Sequence, residues 1–218
     1  MLIEVSGLEK IFPAPFFSRA APLRALTGVT LAVGPGVLGF EGPNGSGKTT
    51  LFKVLAGILE TDGGTIAVDG QAAGSARLRA LAAFCPPNPR SFYYRLSALE
   101  NLRFFGALAG ISPAQAVERA RELGARLALA PADLERRFDR LSEGNMQKVS
   151  LVRAFSRRAP LLLLDEPFHG LDEKACAGLI ALIAETGRSS TVLLSSHSRA
   201  LLAAAADKTF RLEAGRLA

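Results

Sequence analysis

The most informative stretch of the sequence is Gly42-Pro43-Asn44-Gly45-Ser46-Gly47-Lys48-Thr49, which Thr50 directly follows. It matches the pattern G-x-x-x-x-G-K-[ST], in which backbone N–H groups and a helix N-terminus bind phosphate oxygens. The pattern requires a strand before it and a helix after it, and Val37–Phe40 and Thr49–Leu59 predict both. Lys48 would pair with the β- and γ-phosphates, and the Thr49 hydroxyl with Mg²⁺. This phosphate loop therefore predicts a nucleoside triphosphate site.

Two acids, Asp165 and Glu166, follow the apolar run Leu161–Leu164. Such a run predicts a strand that is buried on both faces. We expect this strand to lie beside the Val37–Phe40 strand, so that the acid pair reaches the phosphate loop. Asp165 would then hold Mg²⁺, directly or through water, and Glu166 would polarise the attacking water.

Both histidines follow predicted strands. His197 ends the apolar strand predicted over 191–196, where a sensor of the γ-phosphate would lie, and we assign it to the catalytic group. Taken alone, such a residue is more often an ordinary histidine. His169 comes three residues after Glu166, and we interpret it as a loop histidine near the site.

The chain between about residues 88 and 140 differs from its surroundings because it is predicted to be helical. Ser97 and Glu100 form a capping-box pattern. Pro113 suits the first turn of a helix that runs to about Leu129. On both sides of this segment strands alternate with helices, which favours a mainly parallel sheet covered by helices.

The composition limits the class of protein. The chain has 218 residues and is 49% hydrophobic, which is enough for one globular domain. Its apolar stretches are far shorter than the roughly 20 residues of a membrane-spanning helix, and its start shows no signal-peptide pattern. The two cysteines, Cys85 and Cys176, are far apart in the sequence, which fits a protein of a reducing compartment and not a disulfide scaffold. The net charge is +6, but Trp is absent and no basic block occurs, so we expect no nucleic-acid partner.

Leu141-Ser142-Glu143-Gly144-Asn145 opens a helix predicted to run to about Arg158, and here the chain resembles the ABC ATPase family. The order of motifs is similar to the family's: phosphate loop, helical insertion, LSGGQ-like signature, Leu-rich strand with Asp-Glu, Gly-Leu-Asp, then His. The resemblance covers essentially the whole chain and implies the ATP-binding subunit of an ABC transporter. It implies an α/β fold, with a P-loop NTPase parallel-sheet core, an antiparallel β subdomain and a helical insertion. The single domain would span 1–218, with its core in 1–87 and 141–218 and its helical subdomain at about 88–140.

The resemblance also implies a head-to-tail pair of such domains around ATP and Mg²⁺. The signature segment Leu141–Asn145 would face the γ-phosphate bound by the other subunit. Gly170-Leu171-Asp172 looks like the D-loop that lies across that interface. Phe12 is similar to the aromatic residue that stacks on adenine, although Phe16 and Phe17 compete for this role. The sequence leaves open whether the pair is a homodimer or a heterodimer.

The chain departs from the family pattern at three positions. Glu143 replaces a glycine in the signature, and an acid near phosphate adds repulsion unless it points away. Asn145 replaces glutamine and keeps an amide on a shorter arm. Pro87 stands where the Q-loop glutamine is usual and offers no side chain to Mg²⁺ or water; Asn88 is the candidate substitute.

As a transporter subunit the chain would bind membrane-spanning permease subunits and lie in the cytoplasm on the inner face of the membrane. The region Phe84–Leu102 would receive them, and its aromatic stretch Ser91–Leu96 is either a docking surface or buried in the helical insertion. The length is more similar to exporter-type ATPases than to sugar-importer subunits. The alternatives are a soluble, non-transport ABC ATPase and a non-catalytic ATP-binding partner in a heterodimer.

Overall fold

The computed structural model of the chain describes residues 1–14, 21–89 and 91–218, which form both strands and helices. The strands are β1 (Ile3–Phe12), β2 (Leu23–Val33), β3 (Gly36–Glu41), β4 (Gly63–Val68), β5 (Gln71–Ala72), β6 (Ala82–Cys85), β7 (Leu161–Leu164), β8 (Thr191–Ser195), β9 (Lys208–Glu213) and β10 (Arg216–Leu217). The helices are α1 (Lys48–Leu55), α2 (Ser75–Leu81), α3 (Ala98–Leu108), α4 (Pro113–Arg126), α5 (Pro131–Glu135), α6 (Glu143–Ser156), α7 (Glu173–Gly187) and α8 (Arg199–Ala205). A 3-10 turn at Phe138–Arg140 precedes α6.

A six-stranded sheet in the order β10-β9-β3-β8-β7-β6 forms the centre of the fold. Its strands are parallel except for β10, which pairs antiparallel with β9. The prediction that β7 lies beside β3 was wrong, because β8 lies between them and pairs with both. All five residues of β8 are buried, as expected for a central strand. The carboxyl ends of β3, β8 and β7 still meet at one edge of the sheet.

A second sheet, β2-β1-β4-β5, is antiparallel. The leucines of β7 show how the layers pack, since successive side chains of a strand point to opposite faces. Leu161 and Leu163 join the apolar cluster that includes β1, β2, β4 and α1. Leu162 and Leu164 join the cluster on the other face, with α6, α7 and α8. The predicted fold class, a parallel α/β core with an antiparallel β part and a helical insertion, is confirmed.

The segment between β6 and α6 contains α3, α4 and α5, in the region where the helical insertion was predicted. The Ser97 hydroxyl accepts from the Glu100 amide at 3.1 Å, and the Glu100 carboxylate accepts from the Ser97 amide at 2.7 Å, so the predicted capping box is present. Pro113 is the first residue of α4, as predicted. The division of the chain at about residues 88 and 140 stays a prediction.

Several element bounds differ from the predicted ones. Helix α1 ends at Leu55 rather than Leu59, and Gly57, with a φ of 67°, lies just beyond it. Helix α4 ends at Arg126 rather than Leu129. The sequence reading did not include α2, in which only Leu78 is buried. Among the described residues, no helix combines the length and apolar content needed to cross a membrane.

Candidate functional site

The phosphate loop connects β3 to α1 in a conformation that its glycines permit. Gly47 has a φ of 107°, and a Cβ atom there would collide with the carbonyl oxygen of Ala25. Lys48 is buried, and its Nζ donates to the carbonyl oxygens of Gly42, at 2.8 Å, and Pro43, at 3.1 Å. The loop therefore folds around the ammonium group, which lies at its centre.

Burial lowers the pKa of Lys48 from its ordinary value, because desolvation disfavours the charged form. The negative charges of Glu166 and Asp165 act in the opposite direction and raise this pKa. The acid pair is thus close enough to the phosphate loop to influence its lysine, as the sequence predicted, although β8 separates the two strands.

Asp165 is buried, and both of its carboxylate oxygens are hydrogen-bonded. Thr49 Oγ1 donates to Oδ2 at 2.6 Å, which joins α1 to the end of β7. Ser195 Oγ donates to Oδ1 at 2.7 Å and accepts from the Glu166 amide at 3.0 Å. Ser195 is therefore part of the site, and the sequence reading did not single it out. The only signal was its position at the end of β8, two residues before His197.

Glu166 has a left-handed backbone conformation with a φ of 50°, which is strained for a residue with a side chain. Its Oε2 accepts from the His197 amide at 3.2 Å. Its Oε1 lies 3.4 Å from His197 Nε2 but accepts no hydrogen bond within the described residues, although the atom is buried. A carboxylate at the edge of the cavity is a group that can accept a proton from a bound water.

These side chains surround one cavity of about 600 Å³. Its lining includes the predicted site residues Phe12, Asn44, Gly45, Ser46, Gly47, Lys48, Thr49, Thr50, Asp165, Glu166 and His197. Gly42 and Pro43 line a smaller neighbouring cavity, which His197 also borders. The structure thus brings together the residues that the sequence assigned to nucleotide, metal and water.

Phe12 is the last residue of β1, and it borders the cavity together with Leu23 and Ala25. Its competitors, Phe16 and Phe17, lie outside the described residues. At the other end of the cavity, Pro87 and Asn88 both contribute to the lining. Asn88 is exposed, so its side-chain amide is available to a ligand, whereas the side chain of Pro87 has no polar group.

The signature segment does not line this cavity but packs against the D-loop of the same chain. Leu141 is buried, and Ser142 caps α6 by accepting from the Asn145 amide at 3.2 Å. The side-chain amide of Asn145 donates to Asp133 Oδ2 at 2.9 Å. Gly144 lies so close to Gly170 that a Cβ atom would collide with the Gly170 carbonyl oxygen. This contact accounts for the glycine at the fourth signature position.

Asp172 of the D-loop caps α7 by accepting from the Ala175 amide at 2.8 Å. Its other oxygen accepts from Lys148 Nζ at 2.6 Å. The hydrogen bond from Lys148, followed by that from Ala175, lowers the pKa of Asp172. Lys148 itself is buried in α6 and was not singled out from the sequence. The pair fixes the D-loop to the helix that carries the signature.

The predicted Mg²⁺ residues fit a magnesium ion. Thr49 and Asp165 present a hydroxyl and a carboxylate at one point, and Mg²⁺ is usually bound by one or two such protein oxygens together with phosphates and waters. No group of three or more His, Cys, Asp or Glu side chains suited to a metal occurs in the described part of the chain.

Comparison with known proteins places the chain in a family. The family model described as ABC transporter matches residues 26–169. An Fe(3+) ions import ATP-binding protein from Rhodococcus jostii is 34% identical over 99% of this chain. A lipoprotein-releasing system ATP-binding protein from Caulobacter vibrioides is 32% identical, again over 99% of this chain, and the match covers 94% of that protein.

The chain spans only 61% of the length of the Rhodococcus relative. Its fold is similar to that of the ATP-binding cassette MJ0796, whose dimeric post-hydrolysis state was solved with ADP and Pi. The TM-score is 0.86 at 21% identity, over 99% of this chain and 96% of the other. The family match, the two relatives and the assembled site agree: the chain belongs to the ABC transporter family of ATP-binding domains.

Proposed function

We propose that this chain binds ATP with Mg²⁺, hydrolyses it, and serves as the ATP-binding subunit of an ABC transporter. One observation carries the proposal: Glu166 borders the same cavity as Lys48 and the hydrogen-bonded Thr49–Asp165 pair. A base for water, a cation for phosphate and oxygen ligands for a metal are the three groups that phosphoryl transfer to water requires.

Each residue has a role that follows from its position. The phosphate loop and the N-terminus of α1 bind the phosphates, and Lys48 adds a positive charge. Thr49 and Asp165 hold Mg²⁺, which neutralises phosphate charge when it is bound. Glu166 takes the proton of the attacking water, and His197 contacts the terminal phosphate beside it. Phe12 stacks on adenine at the other end of the cavity.

The signature segment supports a dimeric active form. It lies apart from the cavity of its own chain, and Ser142 and Glu143 are exposed at the start of α6. A helix N-terminus with a hydroxyl is an anion site, so this segment would complete the ATP site of a second cassette placed head to tail. MJ0796 was solved as a dimer with ADP and Pi, and we transfer that arrangement to this chain.

A groove between the sheet and the helical segment supports a membrane-spanning partner. The cavity of about 530 Å³ is mainly apolar and borders Phe84, Phe105 and Leu108. Leu108 is 73% exposed, and Tyr93 and Phe104 are exposed beside each other with their ring centroids 5.0 Å apart. Large exposed apolar side chains on one surface are typical of protein interfaces.

The aromatic stretch Ser91–Leu96 combines the two roles that the sequence left open. Phe92 is buried and stacks on Phe138 with ring centroids 4.5 Å apart, whereas Tyr93 and Tyr94 are exposed. We propose that a permease subunit docks in the groove and over these tyrosines. Both relatives named above are ATP-binding subunits of transport systems, and the chain would then lie in the cytoplasm on the inner face of the membrane.

The enzymatic part of the proposal is tested by ATP hydrolysis with Mg²⁺. Glu166→Gln should abolish turnover and retain ATP binding, because the amide cannot take a proton. The matched control is Glu118→Gln on the exposed face of α4, which should leave turnover unchanged. Turnover that survives Glu166→Gln would contradict the assignment of the base. It would favour a different base. A starting protein that itself shows no turnover would instead favour a non-catalytic ATP-binding partner, as the proline at position 87 would suggest.

The transport part is tested by purification from native membranes in mild detergent. A multi-spanning protein should copurify in stoichiometric amount, and Leu108→Asp in the groove should release it. Leu2→Asp, on an exposed residue outside the groove, is the control. Recovery of only ribosomal or DNA-associated partners would favour a non-transport ABC ATPase.

A further inference from the structure

Glu143 of the signature segment and His169 of the loop after the acid pair lie next to each other. His169 Nε2 is 3.7 Å from Glu143 Oε1, and the two side chains are 64% and 73% exposed. Within the described residues, Glu143 forms no other ion pair. Glu143 is the acid that replaces a glycine in the signature segment, and His169 is the histidine that the sequence placed in a loop near the site.

The backbone on both sides of this pair keeps the two residues together. Gly144, which follows Glu143 in the sequence, packs against the carbonyl group of Gly170, which follows His169. Lys148 and Asp172 add a contact of 2.6 Å between the same two segments. These contacts fix the two segments next to each other, so the attraction between the exposed side chains of Glu143 and His169 has only to orient two groups that are already neighbours.

His169 also belongs to the nucleotide cavity of its own chain. It borders that cavity, and its amide donates to the carbonyl oxygen of Glu166 at 3.2 Å. The imidazole thus lies between the cavity of its own chain and the signature segment that would contact ATP bound by a second copy.

An acid at position 143 creates an electrostatic difficulty. Glu143 is the first residue of α6, where unpaired N–H groups and the helix dipole attract anions. Its carboxylate can fold back onto these N–H groups and compete with a phosphate, and it also repels that phosphate. A neighbouring group that draws the carboxylate sideways removes the competition.

We propose that His169 is a positioning residue that holds the Glu143 carboxylate away from the N-terminus of α6. This keeps the N-terminus open to the γ-phosphate of ATP bound by a second copy of this chain. The inference rests on the proposed head-to-tail dimer. It assigns a function to the one histidine that the hydrolytic site does not use.

The test measures ATP-dependent dimerisation by light scattering in the Glu166→Gln protein, which retains ATP. His169→Ala should raise the ATP concentration for half-maximal dimerisation roughly five- to tenfold, since each dimer contains two such pairs. In a protein that already carries Glu143→Gly, His169→Ala should change this ATP concentration less than about twofold, because no carboxylate remains to be held. His169→Lys, which keeps an N–H donor, should restore dimerisation, whereas His169→Leu should not.

An equal effect of His169→Ala with and without Glu143→Gly would overturn the inference, since His169 would then act independently of the acid. The inference would also be overturned if His169→Lys dimerised no better than His169→Leu. If the Glu166→Gln protein stays monomeric at saturating ATP, the proposed homodimer itself is wrong, and the inference falls with it.

Discussion

Ser195 Oγ donates a hydrogen bond to Oδ1 of Asp165 over 2.7 Å and, through its lone pair, accepts from the amide of Glu166. Thr49 binds the other carboxylate oxygen of Asp165, so the acid is held from both sides. The arrangement arises because β8 pairs with β7, which brings the end of β8 next to the acid pair. One hydroxyl group therefore contacts both the proposed metal ligand, Asp165, and the backbone of the proposed base, Glu166.

We predict that Ser195→Ala lowers the turnover number of ATP hydrolysis about 10- to 100-fold, as loss of a supporting hydrogen bond commonly does. The Michaelis constant for ATP should change little, because the phosphate loop is untouched. The free energy of unfolding should fall by about 1–3 kcal/mol, since Oδ1 of Asp165 and the Glu166 amide both lose a buried hydrogen-bond partner. Steady-state kinetics and urea unfolding measure the two effects.

The matched control is Ser196→Ala. Ser196 is also buried, but its hydroxyl accepts from the Ser198 amide and does not touch the acid pair. Its turnover should stay near that of the starting protein. Equal losses in the two variants would mean that Ser195 supports the end of β8 and not the acids.

A second prediction uses two helical glycines with different surroundings. Gly144→Ala should destabilise the protein by about 1–3 kcal/mol, because the new methyl group collides with the Gly170 carbonyl. Gly124→Ala in α4 should stabilise it by about 0.5–1 kcal/mol, since its methyl group would lie 3.7 Å from Leu129 and alanine favours a helix. Thermal or urea unfolding measures both. A stabilising Gly144→Ala would show that the signature segment and the D-loop separate easily.

The local parts of the site could be predicted from the sequence, because short motifs define them. The motif order predicted that Asn44–Thr49, the acid pair Asp165 and Glu166, and His197 meet at one site, and these residues line one cavity, with Gly42 and Pro43 in the cavity beside it. The position of β8 could not be predicted, since strand order depends on pairing between distant segments and not on local pattern. The role of Ser195 follows from that order, so it was missed for the same reason. The sequence showed that Asn145 keeps an amide but not that the side chain of Asp133, twelve residues earlier, accepts a hydrogen bond from it.

A third prediction concerns the thiols. Burial raises the pKa of Cys85 to about 11, while the contact with Ser150 and the charge of Arg153 oppose the shift. At neutral pH this thiol is therefore almost entirely protonated and inaccessible, and a disulfide reagent should not modify it in the native protein. Cys176 is partly exposed and should react slowly. The Cys176→Ser protein should show no fast labelling until it is unfolded, and rapid labelling in the native state would show that the β6 region opens.

The fourth prediction concerns acid stability. The pKa of Asp172 is lowered from its ordinary value of 3.8, first by the hydrogen bond from Lys148 and then by that from Ala175. A carboxyl group with a lowered pKa stabilises the folded state above its unfolded-state pKa, and this contribution is lost as the pH falls through the folded-state value. Asp172→Asn should therefore destabilise the protein near neutral pH and show a smaller loss of stability on acidification than the starting protein. Because Asp172 is largely exposed, solvent screening keeps the effect small.

Urea unfolding at about pH 7 and at about pH 3 measures this difference. Lys148→Met should reduce the pH dependence in the same direction, because it removes the first cause of the lowered pKa and leaves the cap of α7 in place. Glu173→Gln, next to Asp172 and exposed, is the control and should leave most of the dependence intact. If Asp172→Asn and the starting protein lose equal stability between the two pH values, the Lys148–Asp172 pair does not couple the D-loop to α6 in solution.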